Sequence, residues 1–174
     1  FGRTGAWFGF QHAGIRPDIV TMAKAIANGA PVGAVWARDE VAAAFGPGDH
    51  GSTYAGQPLA LAAARATLDT MQAMDAPAVV AATGERLRSM LAEIPGVAHV
   101  RGRGLLLAIE IESDTLAGRT GPEIARACLD RGLIVNGITP TALRIAPPYT
   151  VADDHLAEGV AIIADVLGDR PEEP

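Results

Sequence analysis

The chain has 174 residues, of which 49% are hydrophobic and 20% charged, enough for a sizeable buried core and too apolar for a disordered segment. Fourteen basic side chains against twenty acidic ones give a net charge of −6, and the basic residues are scattered, which argues against a nucleic-acid surface. No apolar run reaches the roughly 18 residues that a bilayer crossing needs, and a single cysteine, Cys128, permits no internal disulfide, as expected of a cytoplasmic, reducing setting.

Residues 1–18 are dense in glycine and aromatics and read as irregular structure over a packed surface. A short apolar run, Ile19 to Ala23, leads to Lys24, and Val32 to Ala37 reads as a buried strand bounded by Pro31 and the polar Arg38-Asp39-Glu40. Gly46 to Pro58 is a loop of glycine, proline and small hydroxyls. Leu59 to Met74, rich in alanine and leucine without internal Gly or Pro, reads as a helix. A second helical stretch runs from Pro77 to about Glu93 and stops at Pro95-Gly96. VAHVRGRGLLLAIEIES then reads as two strands around a Gly102-Arg103-Gly104 turn, with Ala108 to Glu112 alternating apolar and acidic. Thr120 to Arg131 is helical, GLIVNGI and TALRIAP are short strands separated by Thr139-Pro140, and Val151 to Leu167 is an amphipathic helix before a frayed acidic tail, Arg170 to Pro174. The change of pattern near residues 76–94 divides the chain into 1–76 and 77–174, the latter a linking helix with an αβ module. The chain starts at Phe1 rather than Met and reads as a processed product or a piece of something longer.

Three places can carry chemistry. Lys24 is the only lysine, against thirteen arginines. A lysine amine can lose its proton when desolvated and attack a carbonyl; a guanidinium stays charged and cannot. The small apolar neighbours of Lys24 suit a desolvated amine, although an exposed lysine on a short helix is the plainer reading. HGSTYAGQP offers the adjacent hydroxyls of Ser52 and Thr53 between glycines, able to hold a phosphate or carboxylate, or simply to cap the next helix. Arg144, between Leu143 and Ile145, either points outward from an edge strand or is held inside as a two-pronged clamp for a carboxylate. Arg101-Gly102-Arg103-Gly104 does not lead into a helix and reads as a hairpin turn rather than a phosphate loop. His12, His50, His99 and His155 lack metal-ligand spacing with carboxylates or Cys128, so no metal site is expected.

The order PDIVTMAKAIANGAPVGA, HGSTYAGQPLALAAA, VRGRGLLLAIEIE, RGLIVNGITPTALRIAPP resembles the C-terminal half of the class III aminotransferases, which depend on pyridoxal 5'-phosphate, from Phe1 to about Leu167. The last segment resembles the ornithine-type members most. The resemblance implies an α/β, fold-type I enzyme, of which this chain is the end of the large cofactor domain plus the C-terminal αβ small domain. It implies Lys24 as the amine that carries the cofactor's aldehyde and moves a proton. It makes Thr53 a ligand of the cofactor phosphate, in a loop that reaches in from the other subunit of a homodimer. Ser52 falls on the substrate side of that loop, and Arg144 on the substrate α-carboxylate. The reaction implied moves an amino group from N-acetylornithine to 2-oxoglutarate in arginine biosynthesis. Ornithine, succinylornithine or 4-aminobutyrate are the other donors of the class, and a non-catalytic dimerising or regulatory remnant is the alternative of a different kind. Full-length members carry, just before the position of Phe1, an Asp-Glu-Val-Gln segment whose aspartate pairs with the pyridinium nitrogen. That segment is not in this sequence, so the 174-residue chain alone is expected to be inactive.

Overall fold

The computed structural model describes residues 1–169; the expected tail at Arg170 to Pro174 lies outside them. The chain divides into two compact units, one of Phe1 with Ala6–Ala76 and one of Gly2–Gly5 with the residues from Pro77 on.

In the first unit the glycine-rich start is irregular apart from a 3-10 turn at Gly9–Ala13. Strands β1 (Ile19–Met22) and β2 (Ala34–Ala37) pair antiparallel, Ile19 opposite Ala37 and Met22 opposite Ala34. A 3-10 turn, Lys24–Ala27, follows β1, and the single turn α1 (Asp39–Ala42) follows β2. Helix α2 (Pro58–Ala73) has Pro58 in its first turn, where the missing N–H has no intrahelical partner to lose. Ala60, Ala64 and Met71 are buried on it, and the Lys24–Ala27 turn, in which Ile26 and Ala27 are buried, packs against this helix. The expectation of a buried strand at Val32 to Ala37 is corrected here: Val35 and Trp36 are exposed. Among the described residues β1 and β2 make a two-stranded ribbon, and a ribbon of two strands covers neither of its own faces.

The second unit takes in α3 (Ala76–Ala92) from Pro77 on, the hairpin of β3 (Val97–Arg103) and β4 (Leu106–Ile111), the short α4 (Ser113–Leu116), and α5 (Gly121–Asp130). Strands β5 (Asn136–Thr139) and β6 (Ala142–Ile145) and helix α6 (Asp153–Gly168) complete it. The four strands form one antiparallel sheet in the order β3-β4-β6-β5. Side chains alternate across a strand, and one face is apolar. Leu107 and Ile109 of β4 and Leu143 of β6 are buried with Leu87 and Leu91 of α3, Ile124 of α5 and Ile163 of α6 in a single cluster. Burying each of these large side chains stabilises by about 1.5–3 kcal/mol, so this cluster dominates the unit.

Two local devices hold the elements in place. Residues Gly2–Gly5 are latched to the β3–β4 turn: the Leu105 N–H donates to the Arg3 carbonyl at 3.0 Å, and the Arg3 guanidinium donates to the carbonyls of Leu105 and Pro147 while lying 4.6 Å from the Tyr149 ring centre. At the start of α5 backbone meets backbone. A Cβ at Gly137 would sit 2.3 Å from the Pro122 nitrogen and 2.5 Å from the Gly121 carbonyl carbon. Gly137→Ala should therefore destabilise by about 1–3 kcal/mol, as overpacking does, read as a lower urea midpoint with unchanged slope.

The Thr120 N–H and hydroxyl both donate to Glu123 Oε2 at 2.7 Å, joining the start of α5 to its first turn. These bonds hold the Glu123 carboxyl below the usual carboxylate range. A folded-state pKa that is lowered adds stability above the unfolded value and loses it as pH falls through the folded value. The penalty of Glu123→Gln should thus be present at neutral pH and disappear in acid below that range, a trend read from denaturation midpoints across pH.

Candidate active site

Lys24 opens its 3-10 turn with φ 56°, in the left-handed region, straight after the extended Ala23. For a residue with a Cβ this conformation costs roughly 1–2 kcal/mol. The turn persists because Ile26 and Ala27, two and three residues on, are buried on the α2 side and fix its direction. Asn28 and Gly29 are also left-handed, at φ 46° and 116°. Among the described residues the lysine itself is exposed, so its sequence neighbours alone do not desolvate the amine. Ala23 and Ala25 flank it with single methyls that are themselves exposed, too short to cover a four-carbon stem.

Ser52 and Thr53 lie in the irregular loop before α2, both exposed. They do not cap that helix: its N-cap is Gln57, which makes no side-chain cap bond. The Ser52 carbonyl accepts the Ala55 N–H at 3.3 Å, and Gly56 turns the chain at φ 69°. Neither hydroxyl has a hydrogen-bond partner among the described residues. Lys24, Ser52 and Thr53 belong to the first unit and Arg144 to the second. An apolar groove of about 680 Å³, lined by Phe8, Phe10, Val20, Met22 and Trp36 among others, also lies in the first unit and includes none of the three.

Arg144 is exposed, but not on an edge: β6 lies between β4 and β5. Because Leu143 and Ile145 face the core, Arg144 stands on the opposite, open face of the sheet. Its cross-strand neighbours are Ala108 on β4 and Asn136 on β5, and its Nη2–H donates to Asn136 Oδ1 at 3.0 Å. The same face carries Glu110. Its Oε1 accepts from Arg101 Nε and Nη2 at 2.9 and 2.8 Å, and its Oε2 accepts from the Thr141 hydroxyl at 3.2 Å. Asn136, Glu110 and Thr141 escaped the sequence reading. Their signal was the alternation of polar with apolar residues on β4, which marked an open face without saying that Arg144 shares it. Among the described residues, no group of three or more His, Cys, Asp or Glu is placed to hold a metal ion.

The sequence matches the family described as Aminotransferase class-III over residues 1–167. The chain belongs to the class III aminotransferases. It is 44% identical over 179 residues to an acetylornithine aminotransferase of Bifidobacterium longum, covering 99% of this chain and 40% of that protein. Over 168 residues it is 40% identical to one of Corynebacterium efficiens, covering 97% and 40%. Among solved structures, it superposes with a TM-score of 0.82 on acetylornithine aminotransferase from Elizabethkingia anophelis, at 31% identity over 95% of this chain and 44% of that one. The TM-score is 0.86 for an S-selective transaminase from Arthrobacter sp., at 29% identity over 96% and 41%. The chain spans about two fifths of the length of the relatives it matches. Its α/β architecture is that of a fold-type I class III aminotransferase.

Placement on the open face gives Arg144 a stability signature unlike its neighbour's. Arg144→Ala should change unfolding free energy by no more than about 0.5 kcal/mol, as for surface positions. Leu143→Ala, one residue away but fully buried, should cost about 2–5 kcal/mol. Urea midpoints of the two variants read the contrast directly.

Proposed function

We propose that this chain is the C-terminal part of a transaminase that uses pyridoxal phosphate to move an amino group from N-acetylornithine to 2-oxoglutarate, in the cytoplasm and as a homodimer. The observation that carries the reading is Lys24: the only lysine of the chain, held in a left-handed backbone conformation by a buried turn that leaves its amine accessible. Strained backbone that the surroundings over-determine is found where a side chain must be aimed. The identity to acetylornithine aminotransferases over almost the whole chain supports the choice of donor.

The residues suit the cofactor by their chemistry. Lys24 offers a primary amine to an aldehyde, Thr53 a hydroxyl to a phosphate, and Ser52 a hydroxyl beside it toward the substrate. When bound, pyridoxal phosphate supplies an electron sink for the substrate α-carbon. Lys24 would hold the cofactor through its amine and would also do the proton work at the substrate α-carbon. Arginine could not do this, because a guanidinium stays protonated. Arg144 receives the α-carboxylate that amino donor and 2-oxoglutarate both carry, presenting two parallel N–H groups to two oxygens. The loop of Ser52 and Thr53 serves the partner subunit's site.

Borohydride reduction of the full-length, cofactor-loaded protein should fix the label on Lys24 by mass spectrometry. Lys24→Arg should abolish the label and lower turnover below about one-thousandth, with the fold intact by circular dichroism. A label on any other residue would overturn the reading. Assayed side by side, N-acetylornithine should give a higher kcat/KM than ornithine, succinylornithine or 4-aminobutyrate.

A further inference from the structure

The ladder between β4 and β6 stops short of where its register would carry it. Leu107 faces Ile145 and Ala108 faces Arg144, so the next opposed pairs would be Leu106 with Ala146 and Leu105 with Pro147. In an antiparallel ladder, hydrogen-bonded pairs recur at every second position. The Ile111 N–H donates to the Thr141 carbonyl at 2.9 Å, which puts Leu105 and Pro147 in that same bonded series. Proline has no N–H. The rung therefore fails, because the opposite strand cannot supply a donor to the Leu105 carbonyl.

Arg3 supplies what the proline cannot. Its carbonyl accepts the Leu105 N–H at 3.0 Å, and its Nη1 donates to the Leu105 carbonyl at 3.2 Å and to the Pro147 carbonyl. One residue thus meets all three groups of the failed rung, and its guanidinium lies 4.6 Å from the Tyr149 ring centre. Its backbone is closely seated. A Cβ on Gly104 would come within 2.7 Å of the Arg3 carbonyl oxygen, and one on Gly84 of α3 within 2.3 Å of the Gly104 carbonyl oxygen. Beyond β6, Pro147 and Pro148 fix their own φ and hold Ala146 and Pro147 extended. A grip on the Pro147 carbonyl therefore reaches back to Arg144 through a stiff segment.

We propose that Arg3 is a positioning residue for Arg144: by completing the β4–β6 ladder where Pro147 cannot, it fixes the end of β6 from which Arg144 meets a substrate carboxylate. Every contact involved lies within the second unit. Without the Arg3 side chain, the Leu105 and Pro147 carbonyls lose their shared donor, β6 frays from its Pro147 end, and the Arg144 backbone is held less firmly. The inference rests on Arg144 as the carboxylate residue proposed above; the failed rung and the bonds of Arg3 are independent of that reading.

The test uses the full-length, cofactor-loaded protein and two readouts: KM for 2-oxoglutarate, and the dissociation constant of glutarate, an unreactive dicarboxylate, by calorimetry. Arg3→Met keeps an unbranched stem without donors and should raise both by about 10-fold, less than the roughly 100-fold of a displacement near 1 Å. A loss of positioning for binding alone should leave kcat within about 2-fold of wild type. Arg3→Lys, which keeps a charged donor, should bind glutarate more tightly than Arg3→Met. Pro147→Ala returns an N–H to the rung, so in the Arg3→Met background it should bring both values back to within about 3-fold of wild type. A merely structural role would not give that rescue, because exchanging proline for alanine frees the unfolded chain and by itself destabilises. No weakening in Arg3→Met, a fall in kcat as large as the rise in KM, or no recovery in the double variant overturns the inference. If Arg3→Met does not fold, the double variant decides: it should fold and bind glutarate, and its failure also overturns the inference. Arg144→Lys separates the two levels. If it weakens glutarate and Arg3→Met does not, the role of Arg3 is wrong and the carboxylate site stands. If it leaves glutarate unchanged, the carboxylate site itself is wrong.

Discussion

The sheet β3-β4-β6-β5 has one buried face, and that constraint decides which side chains of its strands stand on the other. A strand has only two sides. Once Leu143 and Ile145 are committed to the cluster with Leu107, Ile109, Leu87 and Ile163, Arg144 has no choice but the other face, and so do Glu110 and Arg101 through the register. The apolar cluster supplies the free energy, and the polar constellation is what that burial leaves on the open side. Arg144 is exposed, yet its backbone belongs to an interior strand bonded on both sides.

The first unit solves a different problem with the same logic. Lys24 stands at the start of a turn rather than on a strand, so no paired strand holds its backbone. Here two buried side chains, Ile26 and Ala27, anchor a turn that packs against α2. The left-handed backbone at Lys24 is the strain that this anchoring sustains. In both units the candidate residue therefore sits beside buried apolar residues close to it in sequence.

Much of this was legible in the sequence where the signal is local. The long helices α2 and α3, the β3–β4 hairpin, α5 with Pro122 near its start and α6 all fall within a few residues of where periodicity and stop signals put them. The lysine and the Ser52-Thr53 loop stood out by residue type and were carried by the resemblance. What failed was everything that depends on a neighbour distant in the chain. The strand at β2 was read as buried from its apolar run, and among the described residues Val35 and Trp36 are exposed because β1 is its one partner there. Lys24 was read as desolvated from its alanine flanks, although alanine covers little. Arg144 was weighed as an edge residue because strand order is a long-range property: β6 becomes interior only when β4 pairs with it across more than thirty residues of chain. Asn136 and Glu110 were missed for the same reason, since what matters is the residue opposite rather than the one beside. The single-turn elements α1 and α4 carry too little periodicity to be seen.

The period of two in β6 also has a genetic consequence. The tight link from β5 to β6 spans Pro140 and Thr141, and the β5–β6 register already absorbs one irregularity between Gly137 and Thr139. Adding or removing a single codon there would advance β6 by one position, turning Arg144 into the core and Leu143 out to the open face. Most substitutions in this link alter one side chain; a one-codon insertion or deletion inverts a whole strand. Length, more than composition, is therefore the property of residues 139–141 on which selection should act most strictly.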